Sequence, residues 1–181
     1  MMPRLNVVNP DQAQGKAKEI FDGPLKQKRL NIFKGIANNP GVLDAFLKFS
    51  GGVKGAGALS AAEHEVIALR VGQTNDCEYC LAAHTKVAAG AGIDGEEAKK
   101  IRAGNSDDEK TQALIDFTDA VLEKKGFVSD AELEKFKNAG YDEAAVVEVI
   151  GAVAVNTFTN LFNHVNETDI DPVFEKAPAL A

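Results

Sequence analysis

Apolar residues recur along this chain at helical spacing. Asn39 suits a helix cap and Pro40 the first helical position, and Val42, Leu43, Phe46, Leu47 and Phe49 follow on a helical stripe. The run G-G-V-K-G-A-G from Gly51 to Gly57 is expected to end that helix as a flexible loop. Three pairs with capping-box spacing then mark helix starts: Ser60 with Glu63, Ser106 with Glu109, and Ser129 with Glu132. The pattern predicts helices from Ser60 to Gln73, Cys77 to Ala91, Asp94 to Ala103, Asp107 to Lys125, Ser129 to Ala139 and Asp142 to Val165. A shorter one, Asp11 to Phe21, lies in an N-terminal stretch interrupted by Pro3, Pro10, Gly15, Gly23 and Pro24. No segment alternates apolar and polar residues over strand length, and no βαβ alternation occurs. The expected fold is all-α, in one domain.

The last predicted helix is the most apolar. Val146, Val149, Ile150, Val153, Phe158, Leu161, Phe162 and Val165 cover more than one face, as in a helix buried in a bundle or between subunits. Asn156, Asn160 and Asn163 recur at i, i+4 and i+7 and are expected to line a subunit interface with paired amides. This surplus predicts a homo-oligomer with the chemistry near a subunit boundary. A faint internal echo is also present. E-V-I-A at Glu65 leads on to His84, and E-V-I-G at Glu148 leads on to His164, as in a helical duplication with one live site.

Charge and composition narrow the partners. The net charge is −7, and no basic block exceeds the loose K-Q-K-R at Lys26 to Arg29. Neither nucleic acid nor an anionic membrane surface is therefore an expected partner. The N-terminal residues lack the apolar region of a signal peptide, and no window approaches ~18 uninterrupted apolar residues. The expectation is a cytoplasmic, reducing setting, where a lone C-x-x-C is more often catalytic or metal-binding than a staple.

That pair is Cys77 and Cys80, the chain's two cysteines, with His84 four residues beyond Cys80 and Glu65 twelve before Cys77. If a helix begins at Asp76 or Cys77, Cys80 and His84 stack on one face about one turn apart. A thiol near a helix N-terminus sits where unpaired N–H groups favour the thiolate, and a neighbouring imidazole can take its proton. Three readings of the residues stay open. The cysteines are buried small hydrophobes, or metal ligands with His84 and with Glu65 as a fourth donor, or a redox dithiol. Glu65 sits on a helix that is apolar on several sides, so a buried carboxylate acting as general base or proton relay is a further candidate.

The spacing E-x11-C-x-x-C-x-x-x-H of Glu65, Cys77, Cys80 and His84 resembles the signature of the AhpD-like alkylhydroperoxidases of the carboxymuconolactone decarboxylase superfamily. The flanking L-S-A-A-E-H-E-V-I-A-L-R-V and A-A-H-T-K-V-A-A-G-A-G share the likeness. N-P-G-V-L-D-A-F and N-x-F-T-N-L-F-N-H resemble its peroxidase-related branch. The likeness covers roughly residues 30–170, with residues 1–30 as an N-terminal extension and 31–170 as the core. It implies an AhpD-like helical bundle and a homo-oligomer, a trimer or hexamer. It also implies roles: Cys80 attacks the peroxide, Cys77 resolves the sulfenic acid into a disulfide, and His84 and Glu65 relay protons. The best-known members carry a second histidine between the cysteines, where this chain has Tyr79, a poor base. The decarboxylase branch works without the cysteine pair, so its activity is not implied.

The expected function is a thiol-dependent hydroperoxide reductase with catalytic residues Cys80, Cys77, His84 and Glu65, no cofactor and no metal. Its partners would be a peroxide and a dithiol or protein reductant. The alternatives are a thiol–disulfide oxidoreductase acting on protein or lipoamide disulfides, and a non-catalytic metal-binding or redox-sensing protein.

Overall fold

The computed structural model describes residues 3–180. Among them the chain is all-helical, with a short 3-10 turn (Pro10–Gln12) and nine α-helices. These are α1 (Gly15–Asp22), α2 (Asn31–Ile36), α3 (Pro40–Lys54), α4 (Ala61–Thr74), α5 (Glu78–Gly90), α6 (Gly95–Arg102), α7 (Glu109–Glu123), α8 (Asp130–Asn138) and α9 (Glu143–Asn166). The helix α4 is central and packs against α5, α6, α7 and α9.

The local signals explain most boundaries. Ser60 and Ser129 form full capping boxes with Glu63 and Glu132. Asn39 caps α3 with Pro40 in its first turn. The expected box at Ser106 does not form. Asp108 caps α7 instead, accepting from Thr111 N at 2.7 Å, while Ser106 Oγ donates to Glu97 and its backbone N–H donates to Gln112. The glycine run also behaves differently from expectation, because α3 continues through Gly51 and Gly52 to Lys54. Val53 explains the extra turn, since it packs partly buried on the main core and lies against Gly151 of α9. A Cβ at Gly151 would come within 3.0 Å of the Val53 side chain, so this contact needs the glycine.

Two apolar cores result. The larger joins α4, α7, α8 and α9, with Phe117, Phe136 and Tyr141 stacked in series at 4.3 and 4.2 Å between ring centroids. The smaller packs Ile20, Phe21, Leu25, Ile36 and Leu43 around Cys77, Tyr79 and Cys80. Phe21 is 0% and Leu25 2% exposed, so residues before position 31 form the apolar cover of the cysteine pair. By length and composition α9 could cross a bilayer. One of its faces carries buried Glu148, Asn156, Asn160, Asn163 and Asn166, which is the pattern of a core helix with specific polar partners.

Truncating Phe21 to alanine removes a fully buried ring, and the expected loss of folding stability is about 3–5 kcal/mol. Urea denaturation reads it directly. A loss below about 1 kcal/mol would mean that the N-terminal segment is not part of the cooperative core.

Candidate redox site

The site begins with a backbone corner. The last turn of α4 closes as a Schellman motif, with Cys77 N donating to Gly72 O at 2.9 Å and Asp76 N to Gln73 O at 3.1 Å. Asp76 occupies the left-handed position, φ 51°, which aspartate tolerates better than most side chains. Cys77 ends this motif and also caps α5, its Sγ accepting from Cys80 N at 3.3 Å. A sulfur is thus fixed at a helix N-terminus, as the sequence predicted.

Cys77 and Cys80 are joined as a disulfide, and the two residues are 0% and 3% exposed. Cys80 Sγ receives two side-chain amides from α9: Asn160 Nδ2 at 2.9 Å and Asn163 Nδ2 at 3.3 Å. Asn163 Nδ2 also lies 3.8 Å from Cys77 Sγ. The orientation of Asn160 is set from the other side, because its Oδ1 accepts from Asn75 Nδ2 at 2.9 Å. The asparagine stripe expected at a subunit interface therefore faces inward. Its amides need polar partners, and the sulfurs, Asn75 and the α9 backbone (Asn156 Nδ2 to Ala152 O, 2.9 Å) supply them. The exposed apolar residues Val147, Ile150, Leu161 and Val165 occupy other positions of the helix. Sequence reading missed Asn160 and Asn163 as site residues, although amides at helical period in an otherwise apolar helix were the available signal.

Glu65 and His84 are brought together. His84 Nδ1 lies 2.6 Å from Glu65 Oε2, and Lys54 Nζ lies 3.6 Å from Glu65 Oε1. Burial works to raise the Glu65 carboxyl, but the His84 hydrogen bond, the His84 charge and Lys54 outweigh it, and the carboxyl lies below its ordinary value. An ionised Glu65 can only accept, so Nδ1 carries the proton and a neutral His84 presents Nε2 as its basic nitrogen. His84 was expected to pair with Cys80. The hydrogen bonds recorded to the Cys80 sulfur among the described residues are instead those of the two asparagines. In the second half of the echo, Glu148 pairs with His64, Nε2 to Oε1 at 2.8 Å, and not with the exposed His164. Glu148 also accepts from Ala58 N and Leu59 N, which fixes the α3–α4 connection.

Tyr79, between the cysteines, donates to Asp171 Oδ2 at 2.6 Å, and Asp171 in turn accepts from Asn31 N at 3.1 Å. Burial and the Asp171 carboxylate push the phenol well above its ordinary pKa, so Tyr79 holds its proton and does not relay it. Its role is to anchor. Around it the C-terminal segment is tied down by Lys86 to Val173 O at 2.8 Å, Arg102 to Pro178 O at 2.8 Å and Lys176 to Glu78 at 3.0 Å. A separate cleft of about 960 Å³ opens between α7 and α8, with none of Glu65, Cys77, Cys80 or His84 in its lining.

Residues 40–107 match the profile of the carboxymuconolactone decarboxylase family, a stretch that contains Glu65, both cysteines and His84. Over that stretch the chain is similar to the carboxymuconolactone decarboxylase family. Solved structures share the fold across nearly the whole chain. A peroxidase-related protein from Ralstonia eutropha described as an alkylhydroperoxidase AhpD core superposes with TM-score 0.84 at 17% identity, covering 96% of this chain and 94% of that one. A peroxidase-related protein from a Silicibacter species gives TM-score 0.81 at 20% identity, covering 94% and 92%. A debrominase in complex with 2,3,4-tribromopyrrole gives TM-score 0.76 at 17% identity, covering 94% of each chain. No curated protein matches the chain significantly. These structures are described as peroxidase-related proteins and as a debrominase, so the shared fold alone does not name a reaction.

Glu65→Gln is expected to destabilise the fold by about 1–3 kcal/mol at neutral pH, because it removes a buried charge-assisted hydrogen bond. The folded Glu65 pKa is depressed, so its contribution is full above the ordinary carboxyl value of 4.5 and is lost as pH falls through the folded value. Denaturation of wild type and E65Q between neutral and acid pH checks the sign. Their stability difference should hold to about that value and shrink below it.

Proposed function

We propose that the protein is a thiol-dependent hydroperoxide reductase working through Cys80 and Cys77. The observation that carries the reading is the buried disulfide at the α5 N-terminus, with Cys80 Sγ held by two amides and a Glu65-oriented His84 one helical turn further on. A helix N-terminus and two N–H donors stabilise a thiolate. His84 Nε2 takes the Cys80 thiol proton. The thiolate then attacks the terminal, hydrogen-bearing oxygen of the hydroperoxide, the O–O bond breaks to leave Cys80 as the sulfenic acid, and the leaving alkoxide takes a proton from His84 as the alcohol. Cys77 attacks the sulfenic sulfur, the S–O bond breaks, hydroxide leaves as water with the Cys77 proton, and the disulfide forms. An external dithiol returns both cysteines to thiols. This cycle fits a reducing compartment, the cytoplasm.

Burial favours this reading over exchange with protein disulfides, since sulfurs of residues 0% and 3% exposed admit a small oxidant more readily than a folded partner. A metal-binding reading needs Cys77, Cys80, His84 and Glu65 to converge as donors, and among the described residues no group of three or more His, Cys, Asp or Glu side chains does so.

The test is reduced protein titrated with hydrogen peroxide and with an organic hydroperoxide, followed by intact mass and peroxide consumption. Cys80→Ser should abolish turnover. Cys77→Ser should stop at a Cys80 sulfenic acid that a dimedone probe traps. His84→Ala should slow the reaction by roughly 10²–10⁴-fold. Disulfide formation without peroxide consumption would sink the proposal and favour thiol–disulfide exchange.

The assembly we propose is a homo-oligomer. Val147, Ile150, Leu161 and Val165 are 50–69% exposed along α9, and a second copy of the chain would cover them. Light scattering decides this, because a monomer of 19.2 kDa in dilute solution would exclude it.

A further inference from the structure

One polar atom beside the dithiol has no partner. Asn163 Oδ1 is buried and pairs with nothing among the described residues, although Nδ2 of the same amide lies 3.3 Å from Cys80 Sγ. An unpaired buried acceptor is destabilising, and such atoms in native proteins ask for an explanation. The donors raise a related question. Asn160 and Asn163 are 1% and 4% exposed, yet both direct N–H groups at a disulfide sulfur, which is a weak acceptor.

Reduction resolves both points. Building on the hydroperoxide reading, we propose that Asn160 and Asn163 form an amide cradle for the negative charge of the Cys80 thiolate. In the same cradle, the free Oδ1 of Asn163 accepts a hydrogen bond from the hydroxyl of the Cys80 sulfenic acid. A thiolate turns the two weak contacts into charge-assisted hydrogen bonds. The cradle does not depend on the disulfide for its position, because both amides stand on α9 and Asn160 is clamped by Asn75 at the end of α4. Among the described residues the hydrogen bonds to the two sulfurs come from Cys80 N, Asn160 and Asn163, and none from a lysine or arginine. The titratable groups around the site are Asp76 and Glu78 at the corner, Tyr79 tied to Asp171, and His84 tied to Glu65 and through it to Lys54. The amides are thus the nearest donors that do not titrate.

The acceptor adds a second function. A sulfenic acid either condenses with Cys77, releasing water, or loses its proton and attacks a second hydroperoxide to give the sulfinic acid and an alcohol. A hydrogen bond from the sulfenic O–H to Asn163 Oδ1 holds the proton on the sulfenic oxygen, which stays neutral, and disfavours the second route. Asn160, whose own Oδ1 is already engaged by Asn75, takes no part in this step.

The experiment has two arms on the full-length chain. In the first, the Cys80 thiolate of a Cys77→Ser background is titrated by ultraviolet absorbance without peroxide. Asn160→Ala and Asn163→Ala should each raise the midpoint by roughly one unit. Asn163→Asp should raise it further, by placing a carboxylate against the thiolate. Unchanged midpoints overturn the cradle. In the second arm, proteins with both cysteines receive excess organic hydroperoxide, and sulfinic acid is read by intact mass. Asn163→Ala should over-oxidise several-fold more than wild type, whereas Asn160→Ala and the acceptor-retaining Asn163→Asp should not. Equal over-oxidation in Asn163→Ala and wild type overturns the acceptor role. Should Asn163→Ala not fold, Asn163→Ser and Asn163→Asp carry the first arm, and over-oxidation of Asn163→Asp beyond Asn160→Ala overturns the second. If wild type forms no sulfenic acid with any hydroperoxide, the hydroperoxide reading fails and the acceptor role with it. The cradle is still decided by the titration.

Discussion

The geometry around the cysteine pair depends on one left-handed residue. Asp76 turns the chain so sharply that the end of α4 and the start of α5 share Cys77, which closes one helix with its N–H and caps the next with its sulfur. No loop intervenes that could let the sulfur drift. The same turn brings Asn75 against Asn160, so the amides that meet Cys80 are registered to the corner that presents it. Leu81 and Cys80 of α5 pack over Gly72 of α4, at ordinary contact distance from where a Cβ would stand. The geometry of sulfur, amide and helix terminus thus follows from a few residues within one turn of backbone.

Much of this was legible in the sequence, because its causes are local. Ser60 with Glu63, Ser129 with Glu132 and Asn39-Pro40 act through backbone groups a few residues away, and they place helix starts where the pattern puts them. Ser106 failed because α7 begins two residues later, with Asp108 as its cap, and Gln112 takes the Ser106 N–H in place of Glu109. The helix α2 is too short to show a period. Asn160 and Asn163 meet a cysteine about 80 residues earlier in the chain, and no local pattern encodes such a contact. The cover supplied by Phe21 and Leu25 was hidden for the same reason, since proline and glycine break that segment into pieces without a readable face.

Tyr79 shows how a residue lying between two cysteines can serve the fold. A buried phenol facing a carboxylate keeps its proton, which removes it from proton transfer, and its ring meets Phe174 edge-on at 6.1 Å. The residue between the cysteines therefore ties the C-terminal segment to the helix that bears them. The neighbouring carboxylate–imidazole contact is that of Glu65 on α4 and His84 on α5.

His64 and Glu65 are consecutive on α4, so their side chains leave the helix about 100° apart. Each ends in a carboxylate–imidazole contact with a different helix, His64 with Glu148 of α9 and Glu65 with His84 of α5. Two such ties at different azimuths set the rotation of α4 about its own axis as two screws set a plate. A small roll of the helix would lengthen one contact while compressing the other, and both are buried in surroundings that leave little water to compensate. Glu65 is in this sense indexed from the far side of the molecule. The direction in which His84 is held depends on a glutamate that never approaches the sulfurs and that also pins the connection at Ala58 and Leu59.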